Sequence, residues 1–219
     1  MSSLKAVVFD MDGVIFDSER KVVECWTVVA EKYGIKDIKK LCRMCLGTNS
    51  AETKRIALEF YGQDFPYDEY KGEASALYFE RYSDGRLPMK EGVRELLEFL
   101  KERGLMVALA SSTRSAVVLS QLENAGILPY FDKVVCGDMV SHSKPHPEIF
   151  LKACEELNVA PENAIAIEDS YNGIRSAHAA GMRPIMVPDM AEPTEEMERL
   201  AEVILPSLLK VREYIKNDK

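Results

Sequence analysis

Two aspartates two positions apart, Asp10 and Asp12, follow the apolar run Ala6-Val7-Val8-Phe9 and lead into Gly13. A strand that delivers such a pair into a turn could serve metal binding, proton transfer or nucleophilic attack, or could simply end in a solvated turn. The later chain bears on the choice. Polar residues recur wherever a short apolar run ends: Ser111-Ser112-Thr113 after 105–110, Gly137-Asp138 after 133–136, and Glu168-Asp169 after 164–167. Lys144 stands before Pro145, at the entry to another helix. Brought together, the carboxylates Asp10, Asp12, Glu168 and Asp169 would repel, and some would take up protons. A hard divalent cation with oxygen ligands resolves that conflict, and Mg²⁺ leaves positions for water and a substrate phosphate. Few histidines or cysteines fall near these strand ends, which argues against zinc. Lys144 adds a fixed positive charge. Ser111 adds a hydroxyl followed by backbone amides, that of Ser112 among them, at a helix start where anions are favoured. An acidic metal cluster beside a phosphate seat points to phosphoryl transfer, with one carboxylate as nucleophile and another as general acid and base.

Those groups are far apart in sequence, so the fold must bring them together. Apolar spacing predicts helices over 18–33, 37–46, 51–61 and 67–82, with no strand pattern among them. From residue 89 the pattern alternates. A helix over 91–103 precedes a strand at 105–110, and a helix to about 125 precedes a strand at 133–136. A helix after Pro147 precedes a strand at 164–167, and a helix through Ile174 and Ala177 precedes a strand at 184–187. A helix at 195–200, a short apolar run at 203–205 and a last helix through Tyr214 complete the chain. The fold class is therefore α/β, a Rossmann-like parallel sheet core with right-handed crossovers and helices on both faces, interrupted by an inserted α-helical domain. The expected division is a core of 1–16 and 86–219 and a helical unit of 17–85, with hinges at 14–17 and 85–88. In such a sheet the carboxyl ends of the strands face one crevice.

Composition narrows the class. The chain has 219 residues, 47% of them hydrophobic and 29% charged, with a net charge of −8. That charge disfavours nucleic acid and acidic lipid as partners. No apolar run approaches the roughly 20 residues of a membrane span, and Asp10 and Asp12 interrupt any signal-peptide pattern. The expectation is a cytoplasmic monomer with a small-molecule substrate. Five cysteines argue against a disulfide framework. Cys42 and Cys45 read as helix packing beside Leu41, Met44 and Leu46 rather than as a redox or zinc pair. In the helix over 18–33, Val22, Trp26, Val29, Ala30 and Tyr33 are expected on one face. His142 and His146 read as a loop residue and a helix cap, and His178 as structural.

On its motifs the chain resembles the haloacid dehalogenase superfamily, in the branch of phosphatases and phosphohexomutases related to beta-phosphoglucomutase. The carriers are Asp10-Met11-Asp12-Gly13-Val14, Ser111 at a strand end, Lys144 before Pro145, and Glu168-Asp169-Ser170, in that order. The resemblance implies that Asp10 is the nucleophile and a Mg²⁺ ligand. It makes Asp12 the general acid and base, binding metal through its backbone carbonyl. Ser111, Ser112 and Lys144 would hold the phosphoryl group. Asp169 would bind metal directly, with Glu168 in its outer shell. An acid at Asp12 points to phosphate esters rather than haloacids. The helical insertion would be the cap, with Thr48, Asn49 and Ser50 as candidate substrate contacts and Arg114 and Ser115 at the core–cap junction. Mutases of this branch carry a histidine and an arginine where this chain has Val22 and Ser50, which favours hydrolysis. The expected activity is that of a Mg²⁺-dependent phosphatase for a small phosphorylated metabolite, a sugar phosphate. A phosphohexomutase and a non-catalytic phosphometabolite-binding protein are the alternatives.

Overall fold

A computed structural model describes residues 4–45, 48, 50–83 and 85–218. Its centre is a six-stranded sheet in the order β3-β2-β1-β4-β5-β6, every pair parallel. The strands are β1 (Ala6–Phe9), β2 (Met106–Ser111), β3 (Lys133–Cys136), β4 (Ala164–Glu168), β5 (Arg183–Met186) and β6 (Val203–Ile204). All of β1 and β4 is buried, as strands covered on both faces require.

Alternation along the strands sorts the two faces by size. Val7, Phe9, Leu109, Ile165 and Ile167 point to one side. They pack there with α5 (Val93–Glu102), α6 (Ser115–Asn124) and α10 (Leu208–Asn217). Ala6, Val8, Ala108, Ala110, Ala164 and Ala166 point to the other, where small side chains meet α7 (Glu148–Leu157) and α8 (Tyr171–Ala179). Alanines on this face let those two helices lie close to the strands. Beyond β5, α9 (Glu195–Leu200) covers the sheet end through Met197, against Ile174 and Met186.

Between β1 and α5 come four helices: α1 (Ser18–Tyr33), α2 (Ile38–Met44), α3 (Ser50–Tyr61) and α4 (Tyr67–Tyr82). Trp26, Val29, Leu41, Ala57 and Tyr70 form a buried cluster of their own, and no buried member of it belongs to the sheet's clusters. The two connections to the sheet run side by side. Phe16 and Met89 form an antiparallel bridge, Asp17 N donates to Pro88 O at 2.9 Å, and Lys90 N donates to Ile15 O at 2.8 Å.

The described residues adjust several expectations. β2 and β4 each end one residue beyond the expected 110 and 167, so that Ser111 and Glu168 are the last residues of their strands. On α1, Val22 and Tyr33 are exposed, and Cys25 joins Trp26, Val29 and Ala30 on the buried face. The cysteines are free, and burial pushes the Cys42 thiol up to about 12, as packing requires and redox chemistry does not. No described helix is long and apolar enough to cross a membrane.

Candidate active site

The central register builds the site. Phe9 pairs with Leu109 on one side and Ile167 on the other, and Asp10 N donates to Ile167 O at 2.9 Å. The next residue of β1 therefore emerges between the ends of β2 and β4. Asp10 Oδ1 lies 2.5 Å from Lys144 Nζ, which also donates to Glu168 Oε1 at 2.7 Å and to the Ala110 carbonyl at 2.9 Å. A strand-end carbonyl and two carboxylates thus fix a lysine whose side chain is only 7% exposed. Asp12 faces a different partner. Its Oδ2 accepts from Thr113 Oγ1 at 3.0 Å.

The turn after β4 is organised around Glu168. Its Oε2 accepts from Asp169 N, Ser170 N and Ser170 Oγ, all at 3.0–3.1 Å. The first turn of α8 admits this carboxylate only because residue 173 is glycine; a Cβ there would lie 1.8 Å from Glu168 Cδ. Gly13 has the same relation to Asp169. Its φ is +81°, and an added Cβ would lie 2.1 Å from Asp169 Oδ2.

Electrostatically the site is short of positive charge. Burial raises the Asp10 carboxyl pKa, with Lys144 opposing and Glu168 and Asp12 adding to the rise. Asp169 is held well above the ordinary carboxylate range by burial, then by Glu168, Glu19 and Asp10. For Lys144, burial works against the charge, but Asp10 and Glu168 outweigh it and raise the pKa. Oxygen atoms of Asp10, Glu168 and Asp169 lie within 4.8 Å of one another, and no hydrogen-bond donor among the described residues reaches the Asp169 carboxylate. An all-oxygen set with an unpartnered, buried carboxylate fits a hard divalent cation, whose charge would return these acids to their anionic forms.

A cavity of about 580 Å³ opens over these groups. Its floor is Asp10, Asp12, Ser112, Lys144, Glu168 and Asp169, and its opposite wall comes from α1–α4. Thr48 and Ser50 line that wall; Asn49 lies outside the described residues. Ser111 is fully buried, its Oγ accepting from Thr113 N at 3.1 Å, so Ser112 rather than Ser111 meets the cavity. Arg114 and Ser115 do not line it. Ser115 N and Oγ both donate to Asp138 Oδ1, at 3.0 and 2.6 Å. Trp26 is buried yet presents an edge to the cavity, so packing and lining coincide.

Several groups at the site went unread in the sequence. Thr113 contacts Asp12, Lys71 reaches Ser50 Oγ across the helical wall, and Glu19 stands beside Asp169. Burial, followed by Asp189, Asp12 and Glu168, pushes the Glu19 carboxyl up to about 7. Glu19 lies two residues beyond Asp17 in an acidic stretch, and that proximity to the first motif was the available signal.

A phosphorylated carbohydrates phosphatase of Thermotoga maritima is 37% identical over 182 residues, covering 83% of this chain and 84% of that one. Hexitol phosphatase B of Escherichia coli is 30% identical over 208 residues, covering 93% and 92%. The crystal structure of beta-phosphoglucomutase from Clostridium difficile superposes with a TM-score of 0.75 at 27% identity, covering 98% of this chain and 96% of that one. The family model for haloacid dehalogenase-like hydrolases matches residues 7–187. With its motifs, its sheet order and its relatives in agreement, the chain belongs to the haloacid dehalogenase-like hydrolases.

Proposed function

We propose that the protein is a Mg²⁺-dependent phosphatase that hydrolyses a small phosphorylated metabolite of the sugar phosphate class. The observation that carries this reading is the division of labour between the two acids of one turn. Asp10 is clamped by Lys144, whereas Asp12 is held by Thr113 on the same cavity floor. Asp10 forms a bond to phosphorus as the ester P–O bond breaks, and Asp12 gives its proton to the leaving sugar oxygen. Asp12 then takes a proton from water, whose oxygen attacks the aspartyl-phosphate and releases inorganic phosphate and free Asp10. Lys144 offsets charge on Asp10 and, with Ser112, supports the phosphoryl group, while Ser111 holds the turn beneath through Thr113 N. Asp10, Asp169 and the Asp12 carbonyl would hold Mg²⁺, with Glu168 behind them. When bound, the ion supplies positive charge to the phosphoryl oxygens and the nucleophile.

The helical unit 17–85 is the proposed cap on a core of 1–16 and 86–219, closing over the cavity to exclude water. Relatives named for phosphorylated carbohydrates and hexitols support the sugar phosphate class. One observation favours a second reading, phosphohexomutase activity. Lys71 puts a cation on the cap wall, where a second phosphate could rest. Against it, the wall has Val22 and Ser50 where the related mutases have a histidine and an arginine.

The test is a panel of sugar phosphates assayed with Mg²⁺ for phosphate release and for isomer formation. Phosphate release is expected, and Asp10→Asn should lower turnover by at least about 10³-fold. Undiminished turnover in that variant refutes the mechanism. Isomers without phosphate favour the mutase, and tight binding without turnover favours a binding protein.

A further inference from the structure

Asp169 belongs to two acidic groups. One is the set with Asp10 and Glu168; the other joins it to Glu19 and Asp189, with oxygens of these three also within 4.8 Å of one another. The second group draws on three separate elements. Glu19 sits in the first turn of α1, Asp169 in the turn after β4, and Asp189 in the loop after β5. Nearby cations do not serve these three evenly. Arg20 and Lys90 both bind Asp189 Oδ1, at 2.8 and 2.5 Å, and Arg20 also faces Asp17. Neither forms an ion pair with Glu19 or Asp169. Asp169 is 4% exposed, and no described donor reaches its carboxylate; Asp189 Oδ2 is buried without a hydrogen-bond partner among the described residues. A carboxylate at the start of α1 therefore faces an unpartnered, buried carboxylate after β4, and Lys90, held on Asp189, only partly offsets the charge at Glu19. Wherever both are ionised without a cation between them, the contact pushes α1 away from the sheet.

We propose that Glu19 is an outer-shell ligand, accepting from the hydration shell of the divalent ion bound at Asp10 and Asp169, so that metal binding draws the cap onto the core. The inference rests on the metal site of the proposed function and adds to it a ligand from the other unit. Glu19 is a positioning residue: it acts through the ion and touches no reacting atom. Mg²⁺ has a geometric reason to use it, because the ion keeps several waters and those waters need acceptors. Binding becomes conditional on cap position, and the cap position on the ion, by the same free energy in each direction.

The test uses the intact protein and Mg²⁺ alone, without substrate. Trp26, the single tryptophan, lies seven residues beyond Glu19 on α1 and lines the cavity, so its emission reports the wall. Wild type is expected to bind one Mg²⁺ by calorimetry with a saturable change in Trp26 emission. Glu19→Gln should bind at least about 10-fold more weakly and lose most of the emission change, with Glu19→Asp in between. In chelator at pH about 8.5, where Glu19 is ionised, Glu19→Gln should melt higher than wild type because a repelling charge is gone, and this order should reverse in saturating Mg²⁺. Unchanged affinity in Glu19→Gln, or an unchanged Trp26 response, overturns the proposal. Asp169→Asn separates the two readings. If it abolishes Mg²⁺ binding while Glu19→Gln does not alter it, only the present inference falls. If wild type binds no Mg²⁺, the metal site falls with it.

Discussion

Asp10 is both the best-held and the most awkward residue of the site. Lys144 fixes its direction, but burial opposes its charge, and the attack proposed for it requires the anion. Without metal that conflict has a pH signature. A carboxyl with a higher pKa in the folded chain than in the unfolded one binds its proton more tightly when folded. Its contribution favours the fold below the ordinary value of 3.8 and is lost as pH climbs through about 8. In chelator, the melting temperature of Asp10→Asn should therefore gain on wild type as pH rises from about 4 to about 8. Excess Mg²⁺ should flatten the trend. A difference independent of pH would mean that Asp10 is as easily ionised folded as unfolded.

At the scale of elements, several residues of the candidate site were legible because each ends or directly follows a strand. Asp10, Ser111 and Glu168-Asp169 follow apolar runs, and a parallel sheet sends all such ends to one side. What was not legible depends on where side chains turn after the backbone has arrived. Ser111 and Ser112 are neighbours, yet one is fully buried beneath the turn and the other meets the cavity. Arg114 and Ser115 follow directly, but the start of α6 turns Ser115 toward Asp138. Lys71 could not be placed from sequence at all, since α4 meets the wall only through packing with α1 and α3. Its Nζ has Ser50 Oγ as its partner, and no carboxylate among the described residues pairs with it. Lys71→Met should raise KM for a sugar phosphate by about 10-fold and change kcat by less than about 3-fold, as loss of a contact made equally in ground and transition states does. Steady-state kinetics on one accepted substrate reads this directly, and a fall in kcat alone would assign Lys71 to the chemistry instead.

For the whole molecule, the two connections between sheet and helices share one carboxylate with two cations on it. Arg20 is in the first turn of α1, on the outgoing side, and Lys90 follows the returning connection; both converge on Asp189, whose side chain is fully buried. Asp189→Ala leaves Lys90 in place without its partner, which should cost about 2 kcal/mol and lower Tm by roughly 4–8 °C. Thermal melts of the two proteins check this, and equal Tm values would mean that the backbone bonds between Asp17, Pro88, Ile15 and Lys90 hold the junction without it. The residue that ties the two connections lies after β5, and nothing in its local sequence pattern marks it.

The position of β1 also bears on how the chain is made. It leaves the ribosome before the other strands of its sheet, and its neighbours begin only at Met106 and Ala164. For about 100 residues of synthesis the strand leading to Asp10 has no partner, and closing so long a loop is slow. The four helices that follow need no such wait, because their buried residues meet one another. The substrate-facing wall is thus expected to form during translation, before the floor that it covers, and β1 to stay unpaired until β2 emerges. An unpaired apolar strand during that interval is where a chaperone would bind.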